Sequence, residues 1–134
     1  MATFTKVYSF VLELAHGGHN LGSNQLTVFL TNSAPTTSNT VITDISQATY
    51  TNLSSRNITT SSSAQSGGIY KLVLTDLVLT ASGGSVGPFR YVGIYNSTNN
   101  KLIGWYDYGS SITLADGETL TIDFDGTNGL IQIQ

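Results

Sequence analysis

Cysteine is absent from all 134 residues, which excludes a disulfide framework and any thiolate-held metal. Charge is scarce too. Asp, Glu, Lys and Arg make up 10% of the chain, against about 25% in ordinary domains. The five cations (Lys6, Arg56, Lys71, Arg90 and Lys101) form no cluster, and the net charge is −3. Phosphate-backbone binding calls for a basic patch, so nucleic acid is not an expected partner. No apolar stretch reaches the 18 residues that suggest a membrane helix, and the run over residues 7–15 is broken by Glu13. No membrane partner is expected. Residues 1–6 do not read as a secretory signal, so synthesis in a cytosol without export is the expectation. The sequons at Asn52, Asn57 and Asn96 then read as chance matches in an Asn/Ser/Thr-rich chain.

The residue types of catalysis are equally thin. Only two histidines occur, in His16-Gly17-Gly18-His19, and no third ligand lies near them. The run reads as a helix-ending turn rather than a metal site. No Gly-x-Ser-x-Gly elbow is present, and two histidines in one turn do not make a Ser-His-Asp set. Nothing in the sequence brings Glu13, Asp107 and Glu118 together as a glycosidase pair. The run from Asp123 to Gly129 resembles part of a calcium loop. It lacks the closing Glu and is flanked by strand patterns, so it reads as an Asp-Gly turn. The expectation is a non-enzyme with no cofactor and no metal.

What the chain does have is Ser and Thr, together about a quarter of it, and 40% hydrophobic residues. The length suits one domain, residues 1–134, with a real core. Val7, Phe10, Val11 and Leu14 at i, i+3, i+4 and i+7 predict a helix over residues 5–16, with Thr5 as its cap and Gly17-Gly18 as its stop. From Gln25 the period becomes two. Leu26, Val28 and Leu30 alternate with Thr27, Phe29 and Thr31, as in a strand with one buried face.

Residues 32–40 are loop by composition. Residues 47–68 carry little pattern and suggest one strand near 55–62 within surface loops. Leu72 and Leu74 share one parity and Leu77 and Leu79 the other, which predicts a bulge or turn at Thr75-Asp76. Two alternating runs flank a hairpin loop at residues 96–100. Further strands follow at Ile112–Leu114, Leu120–Phe124 and 130–134. Strands every 8 to 12 residues with turn punctuation predict a mainly β protein: an antiparallel β-sandwich, jelly-roll or Ig-like, with one short N-terminal helix.

The aromatics near the hairpin are the remaining constellation. Most of them read as core and cross-strand packing. Adjacent Trp105 and Tyr106 must face opposite ways, so one of them is a candidate anchor unless both sheet faces are covered. Tyr108 and Arg90 join this candidate interface. Extended termini are adhesive by nature, which adds Met1, Ala2, Thr3 and Phe4 at one end and Ile131 and Ile133 at the other.

Residues 8–17 (YSFVLELAHG) followed by 26–35 (LTVFLTNSAP) resemble the opening of a family of small tailed-bacteriophage virion proteins. So do residues 66–74 (SGGIYKLVL), 83–92 (GGSVGPFRYV) and 102–109 (LIGWYDYG). The resemblance covers nearly the whole chain. It departs in the middle, where relatives carry a glycine-rich turn and residues 49–56 here read TYTNLSSR. The resemblance implies a capsid decoration (cement) protein on the virion surface, made in the host cytoplasm. Its implied partners are the major capsid protein of a tailed phage and other copies of itself, a trimer being favoured. Two alternatives remain open: a neck, tail or fibre-base component, or a carbohydrate-binding adsorption module that stacks sugar on Trp105 or an exposed tyrosine.

Overall fold

The computed structural model describes residues 3–134, leaving Met1 and Ala2 outside. Strand β1 (Phe4–Lys6) opens the chain and helix α1 (Ser9–Ala15) follows. The expected helix over residues 5–16 is therefore corrected at its start. Thr5 does not cap it, because Phe4–Lys6 pair with the sheet in the register Phe4↔Tyr106, Thr5↔Trp105 and Lys6↔Gly104. Those rungs satisfy backbone groups that a helix's first turn leaves open. The helix ends as its glycines predict. Gly17 takes φ 79°, and the N–H groups of His16, Gly17 and Gly18 donate to the carbonyls of Leu12, Leu14 and Glu13. Its expected apolar stripe is only partly buried: Val7 and Phe10 are inside, Leu14 is half-buried and Val11 is exposed.

After β2 (Leu26–Thr31) a long connection carries one 3-10 turn (Ile42–Asp44). Then come β3 (Asn57–Ile58), β4 (Thr60–Ser66), β5 (Ile69–Leu74), β6 (Leu77–Thr80), β7 (Val86–Asn96), β8 (Lys101–Leu114), β9 (Thr119–Ile122) and β10 (Ile131–Ile133). They form sheets of order β1-β8-β7-β2-β3, β10-β5-β4 and β6-β9, antiparallel throughout. These sheets pack around one hydrophobic cluster. The molecule is a mainly β antiparallel sandwich with one short helix near its N-terminus.

The five-stranded sheet departs from the one-faced pattern its sequence suggests. All six residues of β2 are buried, Thr27 and Thr31 included. Residues directly opposite one another share a face. One row across the sheet is Phe4, Tyr106, Val92 and Leu30; the next, facing the other way, is Thr5, Trp105, Gly93 and Phe29. Tyr106, Val92 and Leu30 in the first row are buried, as are Trp105, Gly93 and Phe29 in the second. Both faces of the central strands are covered.

Glycine makes the second row possible, since a Cβ at Gly93 would fall inside the Phe29 ring. The buried Thr31 hydroxyl is satisfied by donating to the Ser46 carbonyl at 2.6 Å. The Tyr50 hydroxyl accepts from the Leu30 N–H at 3.0 Å and donates to Gln47 Oε1 at 2.8 Å. The long connection thus continues the sheet's bonding where β3 has ended.

The break at Thr75-Asp76 is found, between β5 and β6. So is the hairpin, where residues 97–100 join β7 to β8 and Asn100 takes φ 64°. The strand expected near 55–62 is split. Its first part pairs in the large sheet through Leu26↔Ile58 and Thr27↔Asn57. Its second part pairs with β5 in the other sheet. Thr59 is the point of crossing, and β4 runs on to Ser66, beyond the expected end. The last strand is shorter than residues 130–134, at Ile131–Ile133.

Candidate adhesive surface

The structure reassigns several of the expected contact residues. Trp105 and Tyr106 are 9% and 8% exposed, so neither offers its ring to a partner. The condition attached to the pair, that both sheet faces be covered, is met. Tyr106 packs against Phe4 with ring centroids 5.1 Å apart. Burial, with Tyr108, Asp125 and Asp123 nearby, pushes its phenol up to about 12. Tyr108 is half-buried and its phenol is also raised, chiefly by burial. Arg90 is spoken for: its Nε donates to Asp107 Oδ1 at 2.8 Å and its Nη2 to Oδ2 at 3.1 Å. This fork holds the Asp107 carboxyl below the usual carboxylate range, with the Gly109 N–H adding to the effect.

The termini are less free than expected. Phe4 is half-buried within β1, and Thr3 before it is exposed. Ile131 is buried opposite Leu72 in β10, while Ile133 is 41% exposed. Met1 and Ala2 lie outside the described residues. Each terminal strand is thus already zipped to its own chain, and only its outer border is open.

The strand with the most open border, β4, lies outside the expected contact residues. β4 ends the order of the second sheet. Among the described residues, no main chain bonds its outer side. It is the longest of the sheet-border strands, with seven residues against three in β1, two in β3, three in β10 and four each in β6 and β9. Most of its residues are exposed. A register irregularity between Thr60 and Ser62 leaves the part from Ser62 to Ser66 regular. Proteins ordinarily shield such borders with Lys, Pro or inward charges. Here no Asp, Glu, Lys, Arg or Pro occurs between Arg56 and Lys71. A signal was available in that uncharged Ser/Thr/Gln run, but a strand exposed on both faces has no hydrophobic alternation to display.

Opposite β4's inner face lies a cleft of about 500 Å³. Leu14, Leu21, Tyr70 and Ile133 give it apolar walls, and His19 and Ser63 line it as well. The Ser63 and Tyr70 hydroxyls are 2.6 Å apart. His19 is 4% exposed. Its ring stacks on Phe10 at 5.1 Å, and its Nδ1 lies 3.1 Å from Asn96 Nδ2. The helix-ending turn expected at His16–His19 is what is found. Among the described residues, no three His, Cys, Asp or Glu side chains are grouped to hold a metal. The Asp125 carboxylate is occupied in its own turn, accepting from the N–H groups of Thr127 and Asn128 at 2.9 and 2.8 Å. Chemically, the arrangement offers main-chain hydrogen bonding along a neutral border. No protein-family model, curated protein or solved structure matches the chain.

Proposed function

We propose that the protein is a virion structural component that decorates and stabilises a tailed-phage capsid by binding between shell subunits, as its sequence resemblance implies. The observation that carries the physical side of this reading is the open border of β4. A partner strand laid along it gains main-chain hydrogen bonds without special side chains. The scarcity of charge around it lowers the desolvation cost of a broad contact. Self-association, a trimer by preference, multiplies such modest contacts by raising the effective concentration of each. The carbohydrate reading loses Trp105 as a stacking platform, since that ring is buried, and is left with Tyr8, which is 72% exposed.

The test compares particles assembled with and without the protein under heat and osmotic shock. Decorated shells survive the harsher treatment, and equal survival refutes the role. A second arm uses Ser62→Lys with Ala64→Lys. Both positions are exposed, so the fold is kept while the border gains the charges that natural edges use for protection. We expect at least about tenfold weaker binding to shells, equivalent to 1.4 kcal/mol. Unchanged occupancy would remove β4 from the contact. Copy number decides between head and tail, since shell decoration requires many more copies than a neck or fibre base.

A further inference from the structure

We infer that His19 is an acid-sensitive latch: neutral, it fastens residues 17–25 to the β7–β8 turn, and on taking a proton it releases them. Asn96 is fully buried at the end of β7. Its Oδ1 accepts from the Thr98 N–H at 3.0 Å. Its Nδ2 donates to Asn24 Oδ1 at 2.8 Å and faces His19 Nδ1 at 3.1 Å. An amide nitrogen can only donate, so Nδ1 must accept, and the imidazole is neutral with its proton on Nε2. Neither amide can turn round to accommodate a change. Turning Asn96 sets its oxygen against Asn24 Oδ1 and its nitrogen against the Thr98 N–H. Asn24 is fixed in turn, because its Oδ1 also accepts from the Asn20 N–H at 2.9 Å.

A proton on Nδ1 therefore meets a donor. The opposite nitrogen gives no relief, since His19 Nε2 is buried without a partner. The surrounding charges do little to help. α1 brings Glu13 and β8 brings Lys101, but their side chains pair with each other at 3.6 Å. β1 brings Lys6, whose Nζ lies 5.9 Å from the centre of the Phe10 ring that stacks on His19. β5 brings the Tyr70 phenol, bonded to Ser63. β4, β7 and β10 contribute Ser63, Asn96 and Ile133, none of which titrates near neutrality. His16, in the same turn, is exposed. Burial lowers the His19 pKa from its ordinary 6.5, with Glu13 opposing and Lys101 adding to the shift.

The sign follows from linkage. The folded value lies below the unfolded one, so the latch holds fully above about 6.5. It weakens as pH falls toward and through the lowered folded value, and the opening equilibrium rises by up to tenfold per pH unit in that window. What lets go is a small set of bonds. The Gln25 N–H donates to Thr98 Oγ1 at 3.0 Å, the Ser97 N–H to the Gln25 carbonyl at 2.9 Å, and Asn99 Nδ2 to the Gly18 carbonyl. Their loss uncovers Leu21 and widens the cleft beside Tyr70 and Ile133.

The experiment is NMR on the full chain between pH 8 and 4.5. It follows the His19 imidazole together with the exchange of the Asn24, Gln25 and Ser97 amides, referenced to Val28 and Ile94 in the core. We expect His19 to titrate below 6.5, and opening of residues 17–25 to rise by up to tenfold per pH unit while the core stays closed. His19→Gln keeps a side-chain acceptor and cannot titrate, so its exchange loses the pH dependence. His16→Gln keeps it. Should the His19→Gln variant not fold, the imidazole titration and exchange profile of the unaltered chain decide alone. A His19 pKa at or above 6.5, pH-independent opening, or a pH dependence that survives His19→Gln overturns the latch. None of these readouts involves a capsid.

Discussion

Gly93→Ala tests the packing of the central sheet most directly. Gly93 lies opposite Phe29 on one side and Trp105 on the other, and a Cβ there would occupy the Phe29 ring. Its backbone is not in the left-handed region, so alanine suits the conformation and the cost is steric alone. Overpacking a closed core costs about 1–3 kcal/mol, offset by about 0.4–1 kcal/mol from a less disordered unfolded chain. Phe29→Ala should cost about 3–5 kcal/mol, because the ring is 1% exposed.

In the double variant the new methyl enters the space the ring has left. The penalty of Gly93→Ala should then vanish or reverse, a coupling of at least about 1 kcal/mol. Urea unfolding followed by fluorescence reads it cleanly, because Trp105 is the single tryptophan and sits beside the mutated residue. With a slope of about 2 kcal/mol per molar urea, Gly93→Ala alone lowers the midpoint by about 0.3–1 M. An unchanged midpoint, or the same loss with and without Phe29, would refute the claim that the two residues share one space.

The remaining expectations concern hydrogen bonding and pH. Tyr50→Phe strands the Leu30 N–H, whose residue is fully buried, and should cost about 1–3 kcal/mol in the same urea assay. In alkali, Tyr106 should ionise late by ultraviolet difference, near its value of about 12. Its folded pKa is raised from 10.0, so its contribution is whole below about 10 and is lost as pH climbs through the folded value. In acid, three carboxyls are held low: Asp44 by the Thr40 and Val41 amides, Asp107 by Arg90, and Asp125 by the Asn128 and Thr127 amides. Their contribution is complete above about 3.8, the ordinary value, and is lost as pH falls through the lowered values. Thermal melts between pH 5 and 2 should show that decline.

What the sequence made legible follows from which residues report their surroundings. The hairpin at residues 97–100 and the break at Thr75-Asp76 were readable because turn residues and side-chain parity are local signals. The β2 pattern misled because Thr27 and Thr31 look like a solvent face. Burying them depends on Ser46, Asn57 and Ser97 accepting or meeting their hydroxyls, and these partners lie far away in the chain. Thr5 and Lys6 fall in the expected helix, yet a waiting edge on β8 takes them with Phe4 into a strand, and Phe4 and Thr5 are mediocre helix formers that resist little. For the contact surface, aromatic character marks Trp105 and Tyr106 in the sequence, but both covered sheet faces bury them. The exposed β4 carried no such marker.

The crossing at Thr59 has a mechanical consequence. A load hung on β4 passes along one continuous backbone into β3, which is held by the two rungs at Asn57 and Ile58. The Gln25 side chain donating to the Ile58 carbonyl at 2.9 Å and the Thr27 hydroxyl donating to Asn57 Oδ1 at 3.1 Å also hold it. So does Arg56, whose carbonyl accepts from the Val28 N–H at 2.9 Å and whose guanidinium donates to the Val28 carbonyl at 2.7 Å. Under tension this short splice is the part that yields first, as a fuse does, while the longer ladders of β2, β7 and β8 remain closed. Pulling the chain from Ser62 should therefore give an early, small extension before the main rupture.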